Sequence, residues 1–241
     1  MFRAKNLSAS VADRELLHDI SFDVTEGETV VLLGPNGAGK STLASVLMGN
    51  PKFTIRNGNI FDGQTDITAE PMDTRARLGL FLSHQAPTEI PGVSTKDFLR
   101  TVLDQTEAIS ADVFEKRLDS ARKLLKLDPF FATRDLNFGL SGGEKKKNEI
   151  LQLLMLQPKL AILDEVDSGL DVDAAKTVSQ ALAINQKTTN CAYLIITHNF
   201  HILTALKPDR VFVMKQGRLV EQGDTSLLAD VKAHGFVNRK K

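Results

Sequence analysis

The chain has a single cysteine, Cys191, among 241 residues. One cysteine cannot close an internal disulfide, nor can it hold a metal cluster alone. Disulfide stapling and a cluster-scaffold role are thereby excluded, and a reducing compartment, cytoplasmic by default, is expected. Cys191 lies in an apolar stretch and reads as a packed core thiol. Net charge is also missing: 30 Lys and Arg balance 30 Asp and Glu. Nothing therefore suggests a nucleic-acid binder that runs on phosphate contacts. Long apolar runs are absent too. Thr29 to Leu33 and Tyr193 to Ile196 are strand-sized, far below the ~20 residues of a spanning helix. No direct membrane insertion is expected. The N-terminal Met1-Phe-Arg-Ala-Lys5 leads into an amphipathic strand, not the apolar stretch of a secretory signal. There is no low-complexity segment and no internal repeat, so one domain over 1–241 is expected.

What is present is a core-sized apolar fraction, 42%, enough to offset the entropy of ordering one large α/β domain. Leu7, then Ile20, Phe22 and Val24, then Thr29 to Leu33 alternate as strands. A helix is expected over 40–49, a strand and turn over Gly58 to Gly63, and a buried strand over Leu78 to Leu82. From about Ser94 to Leu127 the period becomes helical, with Phe98, Leu99, Val102 and Leu103 on one face. Val113, Leu118, Ala121, Leu124 and Leu125 form a second such face, and Asp128-Pro129 ends it. Helices over 142–157, 171–186 and 199–206 then alternate with strands over 160–164, 192–197 and 210–214. Such alternation predicts right-handed crossovers and a mostly parallel sheet. Lys215-Gln-Gly-Arg218 reads as a hairpin turn.

Three stretches carry chemistry. Val31-Leu-Leu-Gly-Pro-Asn-Gly-Ala-Gly-Lys-Ser-Thr42 reads as strand, glycine-rich loop, helix. Gly34, Gly39, Lys40 and Ser41 match G-x-x-x-x-G-K-[ST]. Glycines let backbone amides curl around an anion, and the helix start adds its dipole. Gly34, Pro35, Asn36, Gly37, Ala38, Gly39, Lys40, Ser41 and Thr42 are therefore candidate nucleotide-binding residues. Lys40 supplies a point charge for the β- and γ-phosphates, and Ser41 a hydroxyl for Mg²⁺. Second, Leu160-Ala-Ile-Leu-Asp164-Glu165 is an apolar strand ending in two carboxylates, where ligands sit in open α/β sheets. Asp164 is expected to reach Mg²⁺, directly or through water, and Glu165 to polarise the attacking water. Third, Leu140-Ser-Gly-Gly-Glu144 precedes a helix. Ser141, Gly142 and Gly143 make a second helix-start anion site, and Ser141 with Glu144 also fits a capping box.

The order of these stretches resembles that of the ATP-binding cassette ATPases. Leu140-Ser-Gly-Gly-Glu144 is similar to the family's signature motif, usually Leu-Ser-Gly-Gly-Gln. Gln85, Ser168-Gly-Leu-Asp171 and His198 stand where the Q-loop glutamine, the D-loop and the switch histidine stand. The resemblance implies a catalytic core over about 1–85 and 158–241, with a helical subdomain over about 86–157. It implies Mg²⁺ and ATP as cofactors, with Gln85 on the metal or the attacking water and His198 on the γ-phosphate. It also implies an ATP-dependent homodimer in which Ser141 of one copy faces the phosphate loop of the other. Glu144 in place of Gln and the extra acid Asp167 depart from the common pattern, and Val11 stands where an adenine-stacking aromatic is expected. Asp167 adds like charge beside Glu165, which raises carboxylate pKa values. Lys145, Lys146 and Lys147 read as a solvated helix face, with pairing to the extra acids as the alternative.

Phe138 to Ile150, Ile162 to Asp171 and Glu89 to Ser94 further resemble the SufC-type branch, the ATPases of iron–sulfur cluster assembly. That resemblance implies soluble SufB- and SufD-like scaffold partners. Two other readings remain: the ATPase subunit of a membrane transporter, and an ATP-gated binding module with little turnover. The acidic pair argues against the last. The segment Ala86-Pro-Thr-Glu-Ile-Pro-Gly-Val93, apolar with two prolines and a glycine, is the expected partner seat.

Overall fold

The computed structural model describes residues 1–83, 87–107, 109–198 and 200–236. Its centre is a six-stranded sheet. The strands, in spatial order, are β12 (Arg218–Gly223), β11 (Arg210–Lys215), β3 (Thr29–Leu33), β10 (Ala192–Ile196), β9 (Leu160–Asp164) and β6 (Leu80–Ser83). All neighbours pair in parallel except the edge hairpin of β11 and β12. The β3 sequence, Thr-Val-Val-Leu-Leu, is buried throughout. Alternate side chains point to opposite faces of a strand, so Val31 and Leu33 join one core and Val30 and Leu32 the other.

A second sheet of four antiparallel strands covers one face. It is ordered β2 (Arg14–Val24), β1 (Phe2–Val11), β4 (Thr54–Asp62) and β5 (Thr65–Asp66). Between it and the central sheet runs α1 (Lys40–Met48), within a core that includes Leu17, Ile20, Leu43, Leu47 and Phe212. The carbonyls at the end of α1 are met by the buried guanidinium of Arg75, which donates to Val46 O at 3.0 Å and Leu47 O at 2.6 Å. A cation at a helix C-terminus also complements the helix dipole. Arg75 belongs to α2 (Met72–Arg77), a helix with no apolar period for a sequence reading to detect.

The opposite face carries α3 (Thr95–Thr106), α4 (Ala111–Leu124), α5 (Gly142–Leu156) and α6 (Val172–Thr189). Ser94 and Ser110 cap α3 and α4 by accepting from the N–H of the third helical residue. One apolar core runs from these helices onto the sheet, from Leu99, Phe114 and Leu118 through Leu151 to Leu163 and Ile195. A small two-stranded antiparallel sheet pairs β7 (Ile90–Ser94) with β8 (Asp135–Leu136) across the intervening α3 and α4, and α7 (Thr225–His234) packs against β11 and β12.

Several expectations shift. The strand expected from Gly58 begins at Thr54, and the one expected from Leu78 begins at Leu80 because α2 leads into it. Phe114, not Val113, faces the core; Val113 is exposed, a slip of one residue in helical phase. The helix expected over 199–206 is a single 3-10 turn, Phe200–Leu203. β7 occupies part of the segment read as a loop.

Candidate functional site

The phosphate-type loop leaves β3 at Leu33 and enters α1 at Lys40. Gly34 has φ +156°, and a Cβ there would sit 2.2 Å from the Met214 carbonyl, so no side chain fits. Gly39 turns the chain into the helix at φ +102°. The Lys40 ammonium is folded under the loop, donating to Gly34 O at 2.8 Å and Pro35 O at 3.1 Å. Lys40 is only 6% exposed. Burial pushes its pKa down, while the Glu165 and Asp164 carboxylates pull it back up. A cleft of about 420 Å³ opens over residues 36–42, with Leu16 on one wall and Glu165 on another.

Asp164 ends β9, 6% exposed. Its N–H donates to Ser83 Oγ at 3.2 Å, which ties it to β6. Burial pushes its pKa up; the Ser41 hydroxyl, Lys40 and Lys146 oppose that. Its Oδ1 is buried and has no hydrogen-bond partner. A buried, unpaired carboxylate oxygen beside a serine hydroxyl is costly by itself and suits a hard divalent cation. No group of three or more His, Cys, Asp or Glu side chains that could hold a metal exists among the described residues. That fits Mg²⁺, which typically takes one or two protein ligands and completes its shell with phosphate and water.

Glu165 follows at φ +52°, a left-handed conformation that costs a non-glycine residue about 1–2 kcal/mol. Its N–H donates to Ile196 O at 2.9 Å. This bend turns its side chain away from the sheet into the cleft. His198 Nε2 lies 3.4 Å from Glu165 Oε1. Phosphate loop, metal-type aspartate, candidate base and histidine thus gather at the C-terminal ends of β3, β9 and β10. Gln85 lies outside the described residues.

Ser141 sits elsewhere. It caps α5, accepting from Glu144 N at 3.3 Å and donating its hydroxyl to Glu144 Oε2 at 2.8 Å. Glu144 Oε2 also takes the Ser141 N–H, and these bonds pull the Glu144 pKa down, with Arg134 contributing. Glu144 in place of Gln is thereby accounted for within the chain, as the reciprocal half of a capping box. Ser141 and Gly142 are exposed, and neither they nor Gly143 line the cleft of their own chain.

A family model described as "ABC transporter" matches residues 17–168. The chain belongs to the ABC transporter family. Among its relatives, "Vegetative protein 296" of Bacillus subtilis is 42% identical over 236 residues, 96% of this chain and 90% of that one. "Probable ATP-dependent transporter ycf16" of Cyanidium caldarium is 42% identical over 238 residues, 96% and 93% of the two chains. A dimeric ATP-binding cassette solved in a post-hydrolysis state with ADP and Pi superposes with a TM-score of 0.79. It is 20% identical, over 93% of this chain and 98% of that one, and shares the fold. This ABC chain is therefore an ATPase subunit that uses ATP and Mg²⁺. No described helix of it is long and apolar enough to cross a membrane.

The lysine run departs from its expected role. Lys146 is 3% exposed and pairs with Glu149, and Lys145 bridges to Glu89. A solvated face is thus the wrong description for this turn of α5. Three contributors escaped sequence reasoning. Leu16 lines the cleft and Ser83 holds Asp164 in place; both sit in ordinary strand patterns that mark no site. Thr197 donates to the buried Asp167 at 2.8 Å. The signal available there was the extra acid itself.

Proposed function

We propose that this cassette is the Mg·ATP-dependent motor of a soluble SufBCD-like complex, driving conformational change in the scaffold on which iron–sulfur clusters are built. In this reading residues 34–42 cradle the phosphates, and Ser41, Asp164 and Gln85 hold Mg²⁺. When bound, Mg²⁺ supplies positive charge that offsets the charge developing on the phosphates. Lys40 holds the β- and γ-phosphates, Glu165 orients and deprotonates the attacking water, and His198 meets the γ-phosphate. Ser141, Gly142 and Gly143 serve the nucleotide of a second copy, which suits their exposure and their distance from the home cleft. Closure of two copies moves the core, about 1–85 and 158–241, against the helical part, about 86–157.

The observation that carries the scaffold reading is the contact between two of the stretches that resemble the SufC-type branch. Glu89, heading one, ion-pairs with Lys145 in the other. Gly92 N donates to Asp135 Oδ2 at 2.8 Å, and Asn137 Nδ2 donates to Thr88 O at 2.8 Å. Asn137 Oδ1 in turn accepts from Asn148 Nδ2 at 2.9 Å inside α5. The exposed strand β7 is thereby tied to the helix that Ser141 caps, a direct route from partner to nucleotide. α3 follows β7 at once. Its Phe98, with Phe53 and Met72, lines a largely apolar groove of about 1580 Å³, which we assign to a scaffold segment.

The relative named as an ATP-dependent transporter favours a second reading, a cassette docked on a membrane permease. Affinity purification from the native host with identification of the bound chain separates them: a soluble β-helical scaffold supports the first reading, a multispanning protein the second.

A further inference from the structure

Asp167 is a third acid beside the nucleotide cleft, and none of the roles above uses it. It is nevertheless 5% exposed. Its Oδ2 accepts a hydrogen bond from Thr197 Oγ1 at 2.8 Å, and Thr197 is itself buried. The two residues leave two neighbouring strands: Asp167 follows β9 by three positions and Thr197 follows β10 by one. A second link joins the same two strand ends, from Glu165 N to Ile196 O at 2.9 Å. Each link therefore sits next to a functional side chain. Glu165 makes one itself, and His198 directly follows the threonine of the other.

The Glu165 and His198 side chains are both partly exposed, so packing alone does not fix their meeting. The backbone under them contributes to it. A buried carboxylate is an expensive way to satisfy one threonine hydroxyl, since burial opposes its charge and Glu165 adds repulsion. It gains over an amide only if a strong, charge-assisted bond is needed there, or if its charge favours the nearby His198.

We infer that Asp167 is a positioning residue for hydrolysis: by gripping Thr197 it holds the turn after β10 so that His198 faces Glu165. Its effect is exerted through Thr197 and the backbone rather than on the reacting groups. The loop that follows Asp167, Ser168 to Asp171, is fixed by the same grip, because Leu170 N donates to Asp167 O at 3.2 Å.

The test uses the full chain and the variants Asp167→Ala, Thr197→Val, Thr197→Ser and the double Asp167→Ala/Thr197→Val. ATPase turnover, ATP affinity and the His198 imidazole NMR signals without nucleotide are recorded for each. Small misplacements of reacting groups cost up to ~10²-fold, so Asp167→Ala and Thr197→Val should each lower kcat by about tenfold or more, with ATP Kd within about twofold. Thr197→Ser keeps the hydroxyl and should restore kcat and the imidazole signals. The double variant should be no worse than the poorer single. If Asp167→Ala does not fold, Thr197→Val and Thr197→Ser carry the comparison alone. Thr197→Val with wild-type kcat and unshifted His198 signals overturns the proposal, as does a loss that appears entirely in ATP affinity.

Discussion

His198 Nε2 faces Glu165 Oε1 at 3.4 Å across the ends of two adjacent parallel strands. The contact joins a carboxylate that lines the cleft and is held in a left-handed backbone turn to a partly exposed histidine. Such strain recurs at functional sites because surrounding structure must maintain it. If Glu165 prepares the attacking water, Glu165→Gln should keep ATP binding and lower turnover by about 10²–10⁴-fold, the range of general base catalysis. His198→Ala should lose turnover as well. Single-turnover hydrolysis measured beside ATP binding checks both. Normal hydrolysis by Glu165→Gln would assign the base to another group.

In the proposed dimer, Lys40 of one copy and Ser141 of the other serve the same site. Lys40→Ala should lose ATP binding while circular dichroism stays native, because the side chain's partners are loop carbonyls rather than core atoms. Ser141→Arg alone should also be inactive. Mixed dimers of the two variants contain one undamaged site, so the mixture should recover part of the wild-type rate. A mixture as inactive as its components would show that the site is not shared.

Burial pushes the Cys191 thiol up to about 12, from ~8.5 in an unfolded chain. The folded state therefore retains a proton that the unfolded state releases as pH rises. Stability should be unaffected by this group below pH ~8.5 and should fall above it, at up to about 1.4 kcal/mol per pH unit until the folded thiol ionises. The native protein should give no reaction with a thiol reagent at pH 8 and one equivalent after denaturation. Urea melts of wild type and Cys191→Ala between pH 8 and 10 check the linkage: the gap between them should narrow as pH rises. A gap constant with pH would contradict it.

Ile90 and Val93 are each 36% exposed on β7, the segment expected to seat the partner. Ile90→Asp with Val93→Asp should leave ATP affinity unchanged and abolish both scaffold binding and stimulation of turnover. Surface substitutions of this kind shift stability by about 0.5 kcal/mol, so a thermal melt should show little change. Retained scaffold binding by the folded double variant would move the interface elsewhere.

Much of this site was legible because its chemistry forces local sequence. A loop that wraps phosphate needs glycines at Gly34 and Gly39, and Thr29 to Leu33 reads as a strand, which the structure shows buried on both faces. Asp164 and Glu165 stood out because two carboxylates end an apolar strand. What escaped is tertiary. α2 has a single buried side chain, Arg75, whose carbonyl partners include Val46 and Leu47 far back in the chain, and no periodicity announces that. Lys146 looks like a surface lysine until Glu149 and the packing of α5 are in view. β7 carries Pro91 and Gly92, which read as a loop; its pairing partner β8 lies about 45 residues on and is only two residues long. The slip from Val113 to Phe114 shows how little a helix start fixes phase when both candidates are apolar.

Whether ATP hydrolysis here serves a cluster scaffold is measured most directly by the activity of iron–sulfur enzymes in cells whose only copy of this protein carries Lys40→Ala. Those enzymes should lose activity while their polypeptides remain present, and supplying wild-type protein should restore them. Normal iron–sulfur enzymes in those cells, with uptake of a solute lost instead, would contradict it and install the permease reading.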